Sequence, residues 1–268
     1  RSMSRKSIIC LLITMTAELH GMGAKSSKVA VEPHDMSVTL TRPNSGPITQ
    51  TYHIDYFIGS GSKGKVYHAT SDGLPGRELA IKVPAEFLEV LILNDPNIFS
   101  GQYVIQQYFW GTTPSGELCS VQEYANGGSL KDFMAQNGFL KSKKKGISGP
   151  KLEQEWLPIF ERLMDIVRFL HSKNIAHEDF RDENLFIVDG VIKIGDFGSA
   201  TGEKSLGNDV ESLGKILYTF VYGEEPDYKI DRNELERNCR EKLEKHKSTA
   251  HWYEIDHFGA NPKRARYS

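Results

Sequence analysis

The sequence predicts an α+β protein with two lobes, a small β-rich one followed by a mainly helical one. Three observations carry that expectation. Apolar residues alternate in short runs between Gln50 and Val83, and recur every three or four positions from Lys151 to Lys173. Asp189-Gly190 separates two four-residue apolar runs, a strong hairpin signal. Of 268 residues, 39% are apolar and 25% charged, which supports a buried core and excludes whole-chain disorder or coiled coil. The net charge of −2 argues against a partner that is bulk nucleic acid. Cys10, Cys119 and Cys239 are too few and too far apart for a disulfide framework or a Cys-rich zinc site.

Residues 1–35 are expected to be a leader and linker. Ile8 to Ala17 (IICLLITMTA) is apolar and follows Arg5 and Lys6. That is the order of a secretory signal peptide, or of a strand or helix packed on the domain. The run is shorter than the roughly 18 residues that cross a bilayer, so no transmembrane span is expected. A cytoplasmic location follows, or secretion as an effector if residues 3–17 are a signal segment. Residues 21–35 are polar, small and punctuated by Gly and Pro, as linkers are. Tyr52, Ile54 and Tyr56 then alternate in a first strand, followed by strands over Lys65 to Ala69 and Glu78 to Val83. Pro84 suits the first turn of a short helix that Asp95-Pro96-Asn97-Ile98 ends. Trp156, Phe160, Leu163, Val167 and Leu170 lie on the apolar face of the long helix. The β-rich lobe is placed at 36–125 and the helical lobe at 126–268.

Gly59-Ser60-Gly61-Ser62-Lys63-Gly64-Lys65-Val66 joins the first two strands. Glycines let backbone N–H groups approach a phosphate, and Val66 can cap an adenine ring. Alone, the motif fits a ligand-free Gly-rich hairpin equally well, and no helix follows it as a dinucleotide site requires. Ala80-Ile81-Lys82 ends the third strand, where a lysine can reach bound phosphates. Glu123 to Leu130 (EYANGGSL), His177 to Asn184 (HEDFRDEN), Asp196-Phe197-Gly198 and a helix opening at Asp209 follow in order.

With these motifs on the page, the chain resembles the eukaryotic protein kinases from about Tyr52 to about Pro226. The resemblance implies a two-lobed kinase-like fold and a phosphotransferase that uses ATP and Mg²⁺. It implies that Asp179 handles the acceptor hydroxyl proton, that Arg181 stands near the γ-phosphate in place of a lysine, and that Lys82 holds the α- and β-phosphates. Asn184 and Asp196 match the Mg²⁺ ligands. Ile58, Gly59, Gly61, Gly64, Val66 and Ala80 match the roof of the nucleotide pocket, and Phe186 its floor. The backbone of Glu123 and Ala125 matches the adenine-binding edge, with Gln122 as gatekeeper. Asp209 matches a buried aspartate that braces the catalytic loop.

The pattern also breaks. Glu178 replaces the arginine that usually reads a phosphate on the activation segment, and a carboxylate repels phosphate. Only 13 positions separate Asp196 from Asp209, no Ala-Pro-Glu follows, and 42 residues remain after Pro226. The helical lobe is therefore expected to be shortened, with a last helix over Asp231 to Lys247. Lys141 to Lys145 is expected to be a solvent loop, and Lys263 to Arg266 a solvated basic tail. Between the two glutamates, spacing to Pro96 slightly favours Glu86 over Glu89 as the partner of Lys82. The leading functional expectation is a Ser/Thr-directed protein kinase that needs no activation-segment phosphorylation, with a protein substrate or regulatory partner. The alternatives are a nucleotide-binding pseudokinase or scaffold, favoured by Glu178 and the missing peptide platform, and a small-molecule kinase.

Overall fold

The structure is a computed structural model, and it describes residues 33–42, 45–61, 63–98, 101–139, 153–202, 206–224 and 226. Six strands form the first part: β1 (His34–Arg42), β2 (Ser45–Gly61), β3 (Gly64–Thr70), β4 (Leu79–Val83), β5 (Gln107–Thr112) and β6 (Leu118–Glu123). They close into a barrel in the order β1-β2-β3-β4-β6-β5, antiparallel at every pairing. Inward-facing residues alternate along the strands, as a closed sheet demands. Val38, Leu40, Tyr52, Ile54, Ile81 and Val121 are among those that fill its interior.

Strand β1 makes the closure and was not legible in the sequence. It begins at His34, inside the stretch whose composition reads as linker. Its far end reaches β5, with Thr39 opposite Thr112 and Leu40 opposite Gly111. A Cβ at Gly111 would stand 2.1 Å from the Thr39 carbonyl oxygen, so the seam needs glycine there. Closure removes the sheet edges that β2 and β5 would otherwise expose.

Between β4 and β5 lies a two-turn helix, α1 (Phe87–Asn94). Pro84 precedes it by three residues instead of entering its first turn, and Glu86 is its N-cap in extended backbone. After the barrel come α2 (Leu130–Gln136), α3 (Glu153–Ser172), a hairpin of β7 (Leu185–Val188) and β8 (Val191–Ile194), a 3-10 turn (Phe197–Ser199) and α4 (Leu206–Tyr222). Ser129 caps α2 by a reciprocal box with Asp132. Trp156, Phe160, Leu163, Ile166 and Leu170 of α3 pack with Leu213, Leu217 and Phe220 of α4 in a second core. The chain thus holds two hydrophobic cores, one in the barrel and one among the helices. α4 starts three residues before Asp209, so the segment after Asp196 runs almost directly into a helix. The expected signal run, lysine loop, last helix and basic tail lie outside the described residues. Among the described residues no helix is long and apolar enough to cross a membrane.

Candidate active site

A cavity of about 420 Å³ opens between the barrel and the helical part. Strands β2 and β3 supply its roof, with Ile58, Gly59, Gly61, Gly64, Val66 and, from β4, Ala80. Phe186 of β7 lies on the opposite side. Gln122, Glu123 and Ala125 line its inner edge, Lys82, Asp179 and Asp196 line the deep end, and Arg181 lines the mouth. Of the expected site residues, Asn184 alone is absent from this lining, and it bonds to Asp179 behind it.

The deep end is organised by charge. Lys82 Nζ donates to Glu89 Oε2 at 2.6 Å and to Asp196 Oδ1 at 2.9 Å, with Lys82 and Glu89 both buried. Burial alone would lower the Lys82 pKa, but the two carboxylates outweigh it and hold the ammonium above its usual range. The same lysine, against burial, holds the Asp196 carboxyl below its usual range. Glu89, not Glu86, is therefore the partner. Glu86 precedes the helix, is exposed and packs over Gly198, whereas Glu89 lies inside the first turn and faces β4. Position relative to Pro96 misled because α1 starts later than Pro84 suggests.

Glu89 is also held from behind. Gln122 Nε2 donates to Glu89 Oε1 at 3.3 Å and to Ser120 Oγ at 2.9 Å. Ser120 donates to Gln107 Oε1 at 2.6 Å, and Gln107 Nε2 donates to the Val90 carbonyl at 3.3 Å. This polar relay ties α1 to β5 and β6, so the expected gatekeeper also orients the glutamate.

Across the cavity, Asn184 Nδ2 donates to both the carbonyl and the Oδ2 of Asp179, each at 2.9 Å. Asp209 is fully buried and accepts from the backbone N–H of His177 at 2.8 Å and of Glu178 at 2.9 Å. It thereby fixes the turn that presents Asp179. His177 is packed on Phe197 and bonded to the Gly195 carbonyl, and burial lowers its pKa, so it is neutral and structural. Glu178 and Asp196 both adopt left-handed backbone, at φ of 64° and 60°. Such conformations in non-Gly residues concentrate at functional sites. Arg181 Nε lies 3.4 Å from Glu183 and 3.7 Å from Asp179, half exposed at the cavity mouth.

Three features bear on whether a nucleotide and a metal suit this site. A Cβ at Gly59 or Gly61 would meet no atom within 4 Å, so these glycines leave open space beside the cavity that a phosphate chain can enter. Among the described residues the Ala125 N–H, at the inner edge, has no partner. Asn184 bonds Asp179 through its amide nitrogen, and its amide oxygen and the Asp196 carboxylate are hard oxygen donors of the kind Mg²⁺ takes. The residues fit both groups.

The family model described as protein kinase domain matches residues 52–208, more than half of the chain. The chain belongs to the protein kinase family. It is 28% identical over 203 residues to a protein named probable serine/threonine-protein kinase zyg-1 of Caenorhabditis briggsae, covering 61% of this chain and 26% of that protein. It is 25% identical over 267 residues to the human NUAK family SNF1-like kinase 1, covering 81% and 38%. A human testis-specific serine/threonine-protein kinase 3 is 28% identical over 162 residues, covering 57% and 56%. The chain therefore spans between about a quarter and somewhat over half of these relatives. Strand β1 lies before the matched span.

Sequence reasoning missed one buried ion pair of this kinase domain. Lys193 Nζ of β8 donates to both oxygens of Glu123, at 2.7 and 2.8 Å, with both residues buried. Glu123 Oε1 also accepts from the Gln106 N–H at 2.7 Å. The pair joins the inner edge of the cavity to the β7–β8 hairpin. A lysine in a four-residue strand reads as solvent-facing, and no local signal distinguishes it.

Proposed function

We propose that the chain is a Mg²⁺-ATP-dependent protein kinase directed at Ser or Thr, and that it acts without phosphorylation of its activation segment. The observation that carries this reading is Lys82 bridging Glu89 and Asp196. An ammonium aimed into a cavity by one buried carboxylate, beside a second carboxylate at the metal position, is a phosphoryl-transfer arrangement. The names of two of the relatives, both serine/threonine-protein kinases, support the Ser/Thr choice.

In this reading Lys82 orients the α- and β-phosphates, and Ala125 N–H and the Glu123 backbone take the adenine edge. Asn184 and Asp196 would hold Mg²⁺, which when bound supplies charge neutralisation on the transferring phosphoryl group. Asp179 accepts the proton of the acceptor hydroxyl as its oxygen attacks, and Arg181 offsets charge at the cavity mouth. Asn184 keeps Asp179 aimed. Independence from phosphorylation rests on Glu178, whose carboxylate accepts from Thr201 Oγ1 and from Asn208 Nδ2, each at 2.8 Å. The segment is thus fastened by neutral donors where a phosphate would otherwise be read.

A second reading, a nucleotide-binding scaffold, is favoured by the passage of the chain from Ser199 to α4 within seven positions, which leaves no room for a peptide platform. A labelled-phosphate transfer assay with Mg²⁺-ATP, on generic basic proteins and on the chain itself, separates the two. In the kinase reading Mg²⁺ adds to the thermal stabilisation by ATP, and Asp196→Ala removes that addition. No transfer by a wild type that binds Mg²⁺-ATP would leave the scaffold reading.

A further inference from the structure

A second lysine points into the site and has no part in the scheme above. Lys63 stands at the tip of the β2–β3 hairpin, where a long cationic side chain ordinarily extends into water. Here it turns inward. Its Nζ donates to Ser199 Oγ at 2.6 Å and lies 3.9 Å from Asp196 Oδ1. That same oxygen accepts from Lys82 at 2.9 Å, so two ammonium groups converge on one carboxylate oxygen.

The backbone around Lys63 holds it there. Gly64 has φ +130°, and a Cβ on it would come 2.2 Å from the Pro84 carbonyl oxygen, so the tip is pressed against the end of β4. The Lys63 stem then crosses Gly198, where a Cβ would fall 2.9 Å from its Cδ. The head is only one-fifth exposed and lines the cavity with Lys82. Lys63, Lys82, Glu89 and Asp196 together balance to zero charge, so the cluster is stable as it stands. An arriving polyphosphate brings several negative charges and a metal ion brings two positive ones. A lysine whose nearest partner is a neutral hydroxyl, with a carboxylate only at 3.9 Å, gains Coulomb attraction when a phosphate oxygen replaces that hydroxyl.

We propose that Lys63 is a second phosphate-binding residue, forming with Lys82 a two-lysine clamp across the polyphosphate, with Ser199 and Asp196 as its resting anchor. The proposal rests on the nucleotide-binding reading above. The two nitrogens are separated by no more than the sum of their distances to Asp196 Oδ1, a span that adjacent phosphates of one nucleotide bridge. The clamp recognises the phosphate chain and not the base. It therefore discriminates ATP from AMP, and it works without metal.

The test is calorimetric titration of wild type, Lys63→Met and Lys63→Arg with ATP and with AMP, in chelator at low ionic strength, with thermal midpoints confirming that each variant is folded. Lys63→Met should weaken metal-free ATP binding about tenfold, equal to about 1.4 kcal/mol, and change AMP binding less than about twofold. Lys63→Arg keeps the charge and should keep most of the ATP affinity. Equal or tighter ATP binding by Lys63→Met overturns the clamp, tighter binding meaning that Lys63 obstructs the site. Wild type that binds ATP only when Mg²⁺ is present also overturns it, while leaving the nucleotide reading intact. Wild type that binds no ATP even with Mg²⁺ removes the nucleotide reading itself.

Discussion

Thr201 and Glu178 are joined by a hydrogen bond of 2.8 Å, the hydroxyl donating to the carboxylate. Two backbone bonds reinforce the contact, Ala176 N–H to the Thr201 carbonyl at 2.9 Å and Thr201 N–H to the Ala176 carbonyl at 2.8 Å. The activation segment is thereby clipped to the segment that enters the catalytic loop. In the proposed function this hydroxyl and carboxylate stand in place of a switchable phosphate–arginine clip.

The first prediction concerns that clip. Protein made in bacteria and treated with phosphatase should transfer phosphate as fast as untreated protein. Thr201→Glu places two carboxylates together and should lower the rate about tenfold, near 1.4 kcal/mol in the barrier. A rise in rate for Thr201→Glu, or a tenfold drop after phosphatase, would show that the segment is switched after all.

Asp179→Ala separates chemistry from binding. Because the proposed function assigns Asp179 to the acceptor hydroxyl and not to the phosphate chain, thermal stabilisation by Mg²⁺-ATP should persist while transfer falls by about 100-fold or more. Joint loss of both would assign Asp179 a folding role through its bonds to Asn184, and unchanged transfer would remove it as the proton acceptor.

Lys193→Met strands the Glu123 carboxylate in the interior. Breaking one side of a buried pair costs about 3–5 kcal/mol, and urea unfolding should show a loss of that size. The double variant Lys193→Met with Glu123→Gln removes the unpaired charge and should recover most of it. A loss under about 1 kcal/mol in the single variant would mean that water reaches Glu123.

Asp182 gives a pH dependence. Burial first, then its hydrogen bond and charge repulsion with Glu183, push its pKa up to about 7 from an ordinary 3.8. The folded state therefore keeps a proton that the unfolded chain releases. The stability this contributes is complete below the ordinary value and is lost as pH rises through about 7. Wild type should lose stability between about pH 4 and about pH 7 relative to Asp182→Asn, which stays neutral throughout. Parallel stability curves for the two proteins over that range would show that Asp182 titrates normally.

The extent to which the site was legible varies by residue, and the reason is physical. Lys82, Asp179, Asn184 and Asp196 sit in short local motifs whose spacing along the chain is itself the signal, and the structure gathers them around one cavity. The long amphipathic helix and the Asp189-Gly190 hairpin are likewise local, set by periodicity and by a turn that tolerates positive φ. Glu89 was open to confusion with Glu86 because both belong to one short segment, and only the start of α1 decides which faces β4.

By itself, the sequence determined the family, the long helix and the β7–β8 hairpin, and the positions of the chemical groups, because each depends on neighbours a few residues apart. Tertiary structure alone decided the rest. β1 closes the barrel through a seam at Gly111 some seventy residues away, Lys193 finds Glu123 across an equal gap, and Lys63 reaches Ser199 over 136 positions. None of these pairings has a local signature. Each is selected only when burial removes water and leaves a buried charge or an open sheet edge no other partner.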